Sequence, residues 1–302
     1  MVALGYTLPN YRGNATPEKI VETARRADRL GYHSVWVADH IAIPKSYEPR
    51  MGTVLFETHT TLTYVAALTE RVRLGWSVMP TPYRHPLYQA KLLGTLDQLS
   101  GGRVIYGGAT GYVQEEFHAL GVDFSKRAAI TDEYLDVIKM AWTQPVVNFH
   151  GQFVDAVDMT VHPQPLQKPH PPIWLGGDSD GQFKRIVRVA DGWHGLFGGT
   201  PGGRSEEPTI EHFGERVKRL RMFAEQAGRD PSTIAISIKS GIQIGPDSDR
   251  PFVGSKQKIV DSIKRMEELG LELIVISPNL GVEETPMDLI DQYADEIMAE
   301  VK

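Results

Sequence analysis

Asp39 and His40 stand side by side where the apolar run Val35-Trp36-Val37-Ala38 gives out. An acid beside an imidazole at that point can simply close a strand, or it can move protons at the mouth of a site. Imidazole is the side chain best suited to proton exchange near neutrality. His40 is also the only histidine directly after a long apolar run, so position and chemistry agree on it as a catalytic group. Asp39 stays balanced between capping the strand and contributing to a binding site.

Two glycine-bearing segments offer a second kind of chemistry. "GGDSDGQFKRI" places Gly176 and Gly177 just before a helix start, where free backbone N–H groups and the helix dipole suit a phosphate. Capping by Asp178, Ser179 or Asp180 is the plain alternative, and two carboxylates would repel an anion. "GGATGY" repeats the arrangement, with the Thr110 hydroxyl as an extra donor beside Gly111. Two such loops on one rim favour a phosphorylated cofactor more than either does alone. Aromatic residues, among them Tyr47, Phe56, Trp76, Tyr112, Trp193 and Phe197, either wall a pocket for a flat ring or an apolar substrate, or fill the core. Arg84 and His85 either serve the site or anchor the helix that Pro86 opens. Metal catalysis is disfavoured, because the histidines are scattered and no H-E-x-x-H occurs. No G-x-S-x-G supports a serine hydrolase.

These residues can converge only if the elements that carry them do. Strand-like runs alternate with amphipathic helix-length segments from end to end, eight times over. Strict alternation argues for a parallel sheet, since each return needs a crossover. Eight units predict a (β/α)8 TIM barrel spanning 1–302 as one domain, with insertions after strands 2, 4, 6 and 7 at 41–56, 144–171, 195–208 and 240–254. The second insertion reads as an added hairpin. A doubly wound sheet is the rival, but no G-x-G-x-x-G follows the first strand. In a TIM barrel the chemistry lies at the C-terminal strand ends. The predicted ends are Asn10, Asp39-His40, Ser77 to Pro80, Ala109 to Tyr112, Gly176 to Ser179, His194, Lys239 and Ser277-Pro278.

Bulk properties narrow the classes further. The chain has 302 residues, 41% of them hydrophobic, and a net charge of -6 with no long single-sign run, so nucleic acid and anionic membrane are poor partners. It has no cysteine, which excludes disulfides and a thiol nucleophile and fits a reducing cytoplasm. The N-terminus lacks the basic start and apolar core of a signal peptide, and no apolar stretch approaches the ~20 residues that span a bilayer.

With "LGYTLPN", "SVWVADHI", "ERVRLGWSVMPTPYRHP", "LDQLSGGRVIYGGATGY", "EEFHALGVDFSKRAAITDEYLDVIKMAW", "PPIWLGG" and "ADGWH" in this order, nearly the whole chain resembles the bacterial luciferase-like family. The stretch around "GY…EEF.ALGVDF..R" is most similar to its coenzyme F420-dependent branch. The resemblance implies the same barrel, His40 near the reactive ring, and a non-prolyl cis peptide at Ser77-Val78 backing that ring. It implies that Thr110, Gly111, Gly176 and Gly177 approach the ribityl chain and phosphate, and that the protein is a homodimer. Some sugar-phosphate dehydrogenases of the family carry a carboxylic acid straight after the Thr-Gly pair. Tyr112 stands there instead, which puts a sugar-phosphate substrate in doubt and leaves Tyr112 or Glu115 to act as the acid.

The expected function is hydride transfer between coenzyme F420 and a small, largely apolar organic substrate, with His40 managing the proton. The runner-up is an FMN-dependent two-component monooxygenase, with a flavin or F420 reductase as partner. A non-catalytic flavin-binding barrel and a hydrolytic or aldolase-type barrel are the readings from other classes.

Overall fold

Eight short runs rich in β-branched and apolar residues become parallel strands: β1 Ala3–Thr7, β2 Ser34–Val37, β3 Arg73–Trp76, β4 Val104–Ala109, β5 Ile173–Gly176, β6 Gly192–Phe197, β7 Ala235–Ser240 and β8 Leu273–Ile276. The computed structural model describes residues 1–12, 15–198, 209–278 and 287–301. Neighbours follow the order β3-β2-β1-β8-β7-β6-β5-β4, and pairing of Leu74 with Val104 and Gly75 with Ile105 joins β4 back to β3. The sheet is thus a closed parallel (β/α)8 barrel.

The connecting helices include α1 Pro17–Leu30, α2 Thr58–Ala66, α3 Pro86–Leu99, α4 Gln114–Ala119, α5 Arg127–Thr143, α6 Asp180–Val189, α7 Ile210–Gln226 and α8 Lys256–Glu268. Their ends follow local chemistry. In α1 the Thr16 side chain accepts from the Lys19 N–H, Pro17 occupies the first turn, and Gly31 closes the helix at φ 78°. The insertion at 144–171 carries the expected antiparallel hairpin, Val147–His150 against Asp155–Met159. A two-residue ladder, Gln243–Ile244 against Val253–Gly254, marks the insertion after β7. Most of the Gly-rich segment 198–208 lies outside the described residues.

Side chains alternate between the barrel lumen and the helix layer, as the pleat requires. The lumen is filled by Trp36, Ile105, Trp174, Leu273 and Val275. Two indoles fit there because neighbouring strands present glycine. A Cβ on Gly75 would lie 2.5 Å from the Trp36 ring, and one on Gly192 would lie 2.8 Å from Trp174. The larger cluster, including Leu4, Val35, Leu74, Tyr106, Phe183 and Ile274, packs strands against helices.

The strand ends differ from expectation at one position that matters. β6 runs through Phe197, so His194 sits in mid-strand and faces the lumen instead of ending the strand. "GWHGLF" lacks the apolar run that would have shown its length.

Candidate active site

His40 lies just beyond β2 with its side chain 9% exposed. Its Nδ1 is 2.7 Å from Glu116 Oε2. Glu116 comes from α4, and its side chain is fully buried. Its Oε1 accepts from the backbone N–H groups of Ile41 (2.6 Å) and Ala42 (3.0 Å), and Oε2 also accepts from the Tyr83 hydroxyl at 2.9 Å. Burial alone would raise the Glu116 pKa, but the hydrogen bonds from His40 and the two amides outweigh it and hold the carboxyl below its ordinary value. An ionised carboxylate only accepts, so His40 donates from Nδ1. Nε2 is then left with no hydrogen bond to any described residue. Burial, and then the Glu116 charge, push the Tyr83 phenol far up, so it stays a neutral donor.

Asp39 is buried and fully engaged. Arg84 binds it in a fork, at 2.7 Å and 2.9 Å, and the Thr58 hydroxyl donates to it at 3.0 Å. Arg84 also lies 3.4 Å from Glu57. Against its burial, these carboxylates keep the guanidinium pKa above its usual value. Arg84 therefore ties the end of β2 to the start of α3. His85, by contrast, is exposed before α3, with its ring 6.2 Å from Tyr134.

The Ser77-Val78 peptide is cis. Ser77 Oγ lies 2.8 Å from His194 Nε2 across the lumen, and His194 Nδ1 lies 2.8 Å from Ser237 Oγ. Ser237 donates its proton to the Trp193 carbonyl at 3.2 Å, so it accepts from Nδ1, and Ser77 donates to Nε2. The His194 ring also stacks on Trp36, with centroids 4.8 Å apart. Burial, then the nearby Lys239 charge, depress the His194 pKa to about 3, which keeps the ring neutral.

The glycine loops face the same mouth. A Cβ on Gly176 would lie 3.1 Å from Val78, so this wall meets the Ser77-Val78 segment directly. Gly177 has φ 98° and Gly111 φ 79°, both in the region that favours glycine. The Thr110 hydroxyl hydrogen-bonds no described residue. The carboxylates that seemed set to repel an anion are paired: Arg216 donates to Asp178 at 3.1 Å, and Arg219 bonds Asp180. Arg216 itself is only 11% exposed.

Tyr112 and Glu115 lie further out. Tyr112 meets the His40 ring edge-on at 6.0 Å and lines an outer cavity of about 630 Å³ with Tyr47, Gln114, Glu115, His118 and Phe124. Glu115 is exposed there, while its neighbour Glu116 holds His40. The signal for Glu116 lay in the helical period. Val113 is buried, and position 116, three residues on, lies on its side of the helix, whereas 115 points away. Tyr83 was expected among the aromatics on this side and His194 at a strand end, but their contacts with Glu116 and Ser77 were not, because those partners are remote in sequence. Of the aromatic residues, Trp76, Trp193 and Phe197 belong to the packed core.

Residues 2–251 match the luciferase-like monooxygenase family. The chain is 34% identical over 181 residues, 59% of its length and 52% of the relative's, to an F420-dependent glucose-6-phosphate dehydrogenase of Kineococcus radiotolerans. It is 30% identical over 215 residues, 67% of its length and 58% of the relative's, to an FMNH2-dependent dimethylsulfone monooxygenase of Pseudomonas putida. The fold superimposes on the coenzyme F420-dependent tetrahydromethanopterin reductase of Methanopyrus kandleri with a TM-score of 0.79 at 19% identity, covering 100% of this chain and 99% of that one. A closed barrel whose strand ends gather His40, Ser77-Val78 and two glycine loops thus carries the sequence of a known oxidoreductase class, and the chain belongs to the luciferase-like monooxygenase family.

Proposed function

We propose that this chain is an F420-dependent oxidoreductase acting on a small, largely apolar organic substrate, with His40 as the group that exchanges the substrate proton. The observation that carries this reading is the buried His40–Glu116 pair at the barrel mouth, which leaves Nε2 unbonded among the described residues. Such a pair fixes the tautomer and the orientation of the imidazole, as an acid–base group beside a hydride-transfer centre needs.

The residues present fit the cofactor. Gly176 and Gly177 offer backbone N–H groups with no side chain in the way, Arg216 offsets Asp178, and the Thr110 hydroxyl bonds none of the described residues. These would hold the phosphate and its chain, while Ser77 and Val78 would back the ring. When bound, F420 supplies the hydride acceptor or donor. His40 Nε2 takes the hydroxyl proton as substrate is oxidised and returns it in the reverse direction. Glu116 positions the ring, Asp39 and Arg84 hold the rim, and Tyr112 shields the His40 edge. Neutral His194 orients the Ser77 hydroxyl from below. Glu115, out in the outer cavity, is proposed only as a group that substrate passes.

The F420-dependent relative, at 34% identity, supports this cofactor. The FMNH2-dependent relative at 30% supports a second reading, a flavin monooxygenase served by a separate reductase. Fluorescence titration with each cofactor separates the two. We expect saturable F420 binding without oxygen uptake; FMN binding with oxygen consumption and no F420 binding would replace the first reading with the second. A homodimer in the cytoplasm is part of the same proposal, and sedimentation velocity tests the dimer.

A further inference from the structure

Three polar side chains on one wall of the lumen have no partner among the described residues. Ala3 and Ala235 pack against the inner cluster that contains Leu273 and Val275. By alternation, Thr7, Lys239 and Ser277 face the same interior, one layer nearer the C-terminal mouth. Their strands are adjacent: Tyr6 pairs with Ile276, Lys239 pairs with Val275, and the Ser277 N–H donates to the Ser240 carbonyl at 2.8 Å. Neighbouring strands lie about 4.8 Å apart, so the three side chains form one patch.

The patch is buried and unsatisfied. Thr7 is 1%, Ser277 0% and Lys239 8% exposed. The Thr7 and Ser277 hydroxyls have no hydrogen-bond partner among the described residues. The Lys239 ammonium has neither a hydrogen bond nor an ion pair with any described residue. A cation on a largely buried side chain at the edge of a cavity attracts a counter-charge, and buried hydroxyls normally find partners. Neutral His194 beside Lys239 supplies no negative charge.

We propose that this wall binds one monoanionic oxyanion group of the substrate, a carboxylate or a sulfonate, with Lys239 as counter-charge and Thr7 and Ser277 as hydroxyl donors. The inference rests on the reading of the mouth as a substrate site. It makes the otherwise apolar substrate an acid, anchored opposite the Val78–Gly176 wall where the ring is placed. One ammonium and two neutral hydroxyls match a single negative charge; a phosphate dianion would remain half uncompensated.

The test uses the cofactor-free full chain. Acetate, methanesulfonate and inorganic phosphate are titrated against thermal unfolding, with sodium chloride at matched ionic strength as the blank, for the wild type and Lys239→Met. We expect acetate or methanesulfonate to stabilise the wild type saturably, the tighter of the two naming the head group. Lys239→Met should weaken that binding by about tenfold or more, the scale of a lost charged hydrogen bond. The unliganded variant should melt near the wild-type temperature, because Lys239 has no hydrogen bond or ion pair with a described residue to lose. Equal responses of the two proteins, no response beyond chloride, or tightest binding of phosphate would overturn the proposal. If Lys239→Met does not fold, Ser277→Ala decides: a several-fold weaker response supports the site and an unchanged one refutes it. F420 titration of the same preparations stands apart, since loss of F420 binding with acetate binding kept counts against the cofactor and not against this patch.

Discussion

His40 can act only as Glu116 holds it, at 2.7 Å and out of solvent. Replacing His40 with Gln should lower kcat by about 10²–10⁴-fold, the usual contribution of a positioned acid–base group. Glu116→Gln should lower kcat with KM nearly unchanged, because the amide no longer fixes the His40 ring and its tautomer as the carboxylate does. Steady-state turnover with an identified substrate checks both, and a Glu116→Gln enzyme with wild-type kcat would refute the role. Arg84→Met tests the rim. It strands the buried Asp39 carboxylate with only Thr58, so urea unfolding should show a loss of about 3–5 kcal/mol. At this scale His40 was legible because a polar residue after an apolar run is conspicuous. Glu116 was not distinguished from Glu115, because the choice between adjacent acids depends on which face of a six-residue helix turns inward. Asp39 was placed at the end of β2 by the sequence, but its pairing with Arg84 was not legible, since 45 residues separate them.

Elements were more readable than contacts. Alternating strand and helix periods, with Pro17 and Gly31 bracketing α1, carry their own local chemistry and needed no tertiary information. β6 broke the rule, since its interior faces a neighbouring indole with glycine and its lumen position with a histidine. Sequence signals of hydrophobic period fail where a strand is buried by glycine–aromatic complementarity. The same complementarity gives a prediction for β3. Gly75→Ala would push a methyl to 2.5 Å from the Trp36 ring, which is wedged against Trp174, so it should cost about 1–3 kcal/mol or more. Gly181→Ala, in the first turn of α6 with nothing within 4 Å, should be neutral or slightly stabilising. Equal losses in the two variants by urea unfolding would refute the packing account.

Across the whole molecule, the lumen histidine couples stability to pH. The His194 pKa falls from 6.5 to about 3 on folding. Between these values the unfolded chain holds a proton that the folded chain does not, so stability falls as pH drops through that window, by about 1.4 kcal/mol per pH unit. The low Glu116 pKa adds to the acid side, since its contribution is present above the unfolded carboxyl value and lost below it. His194→Gln should flatten the stability curve between about pH 6 and pH 4; parallel curves for the two proteins would contradict the assignment. The barrel as a whole was legible from eight alternating units, whereas the cross-lumen chain Ser77–His194–Ser237 depends on barrel closure, which no local pattern encodes. The central claim is that the strand ends together form one cofactor mouth. A crystal structure of the protein soaked with F420 tests it most directly. The account predicts density for the ring against Val78 with His40 at its edge and the phosphate on the Gly176–Gly177 backbone. F420 bound elsewhere, with His40 and Gly177 untouched, would contradict it.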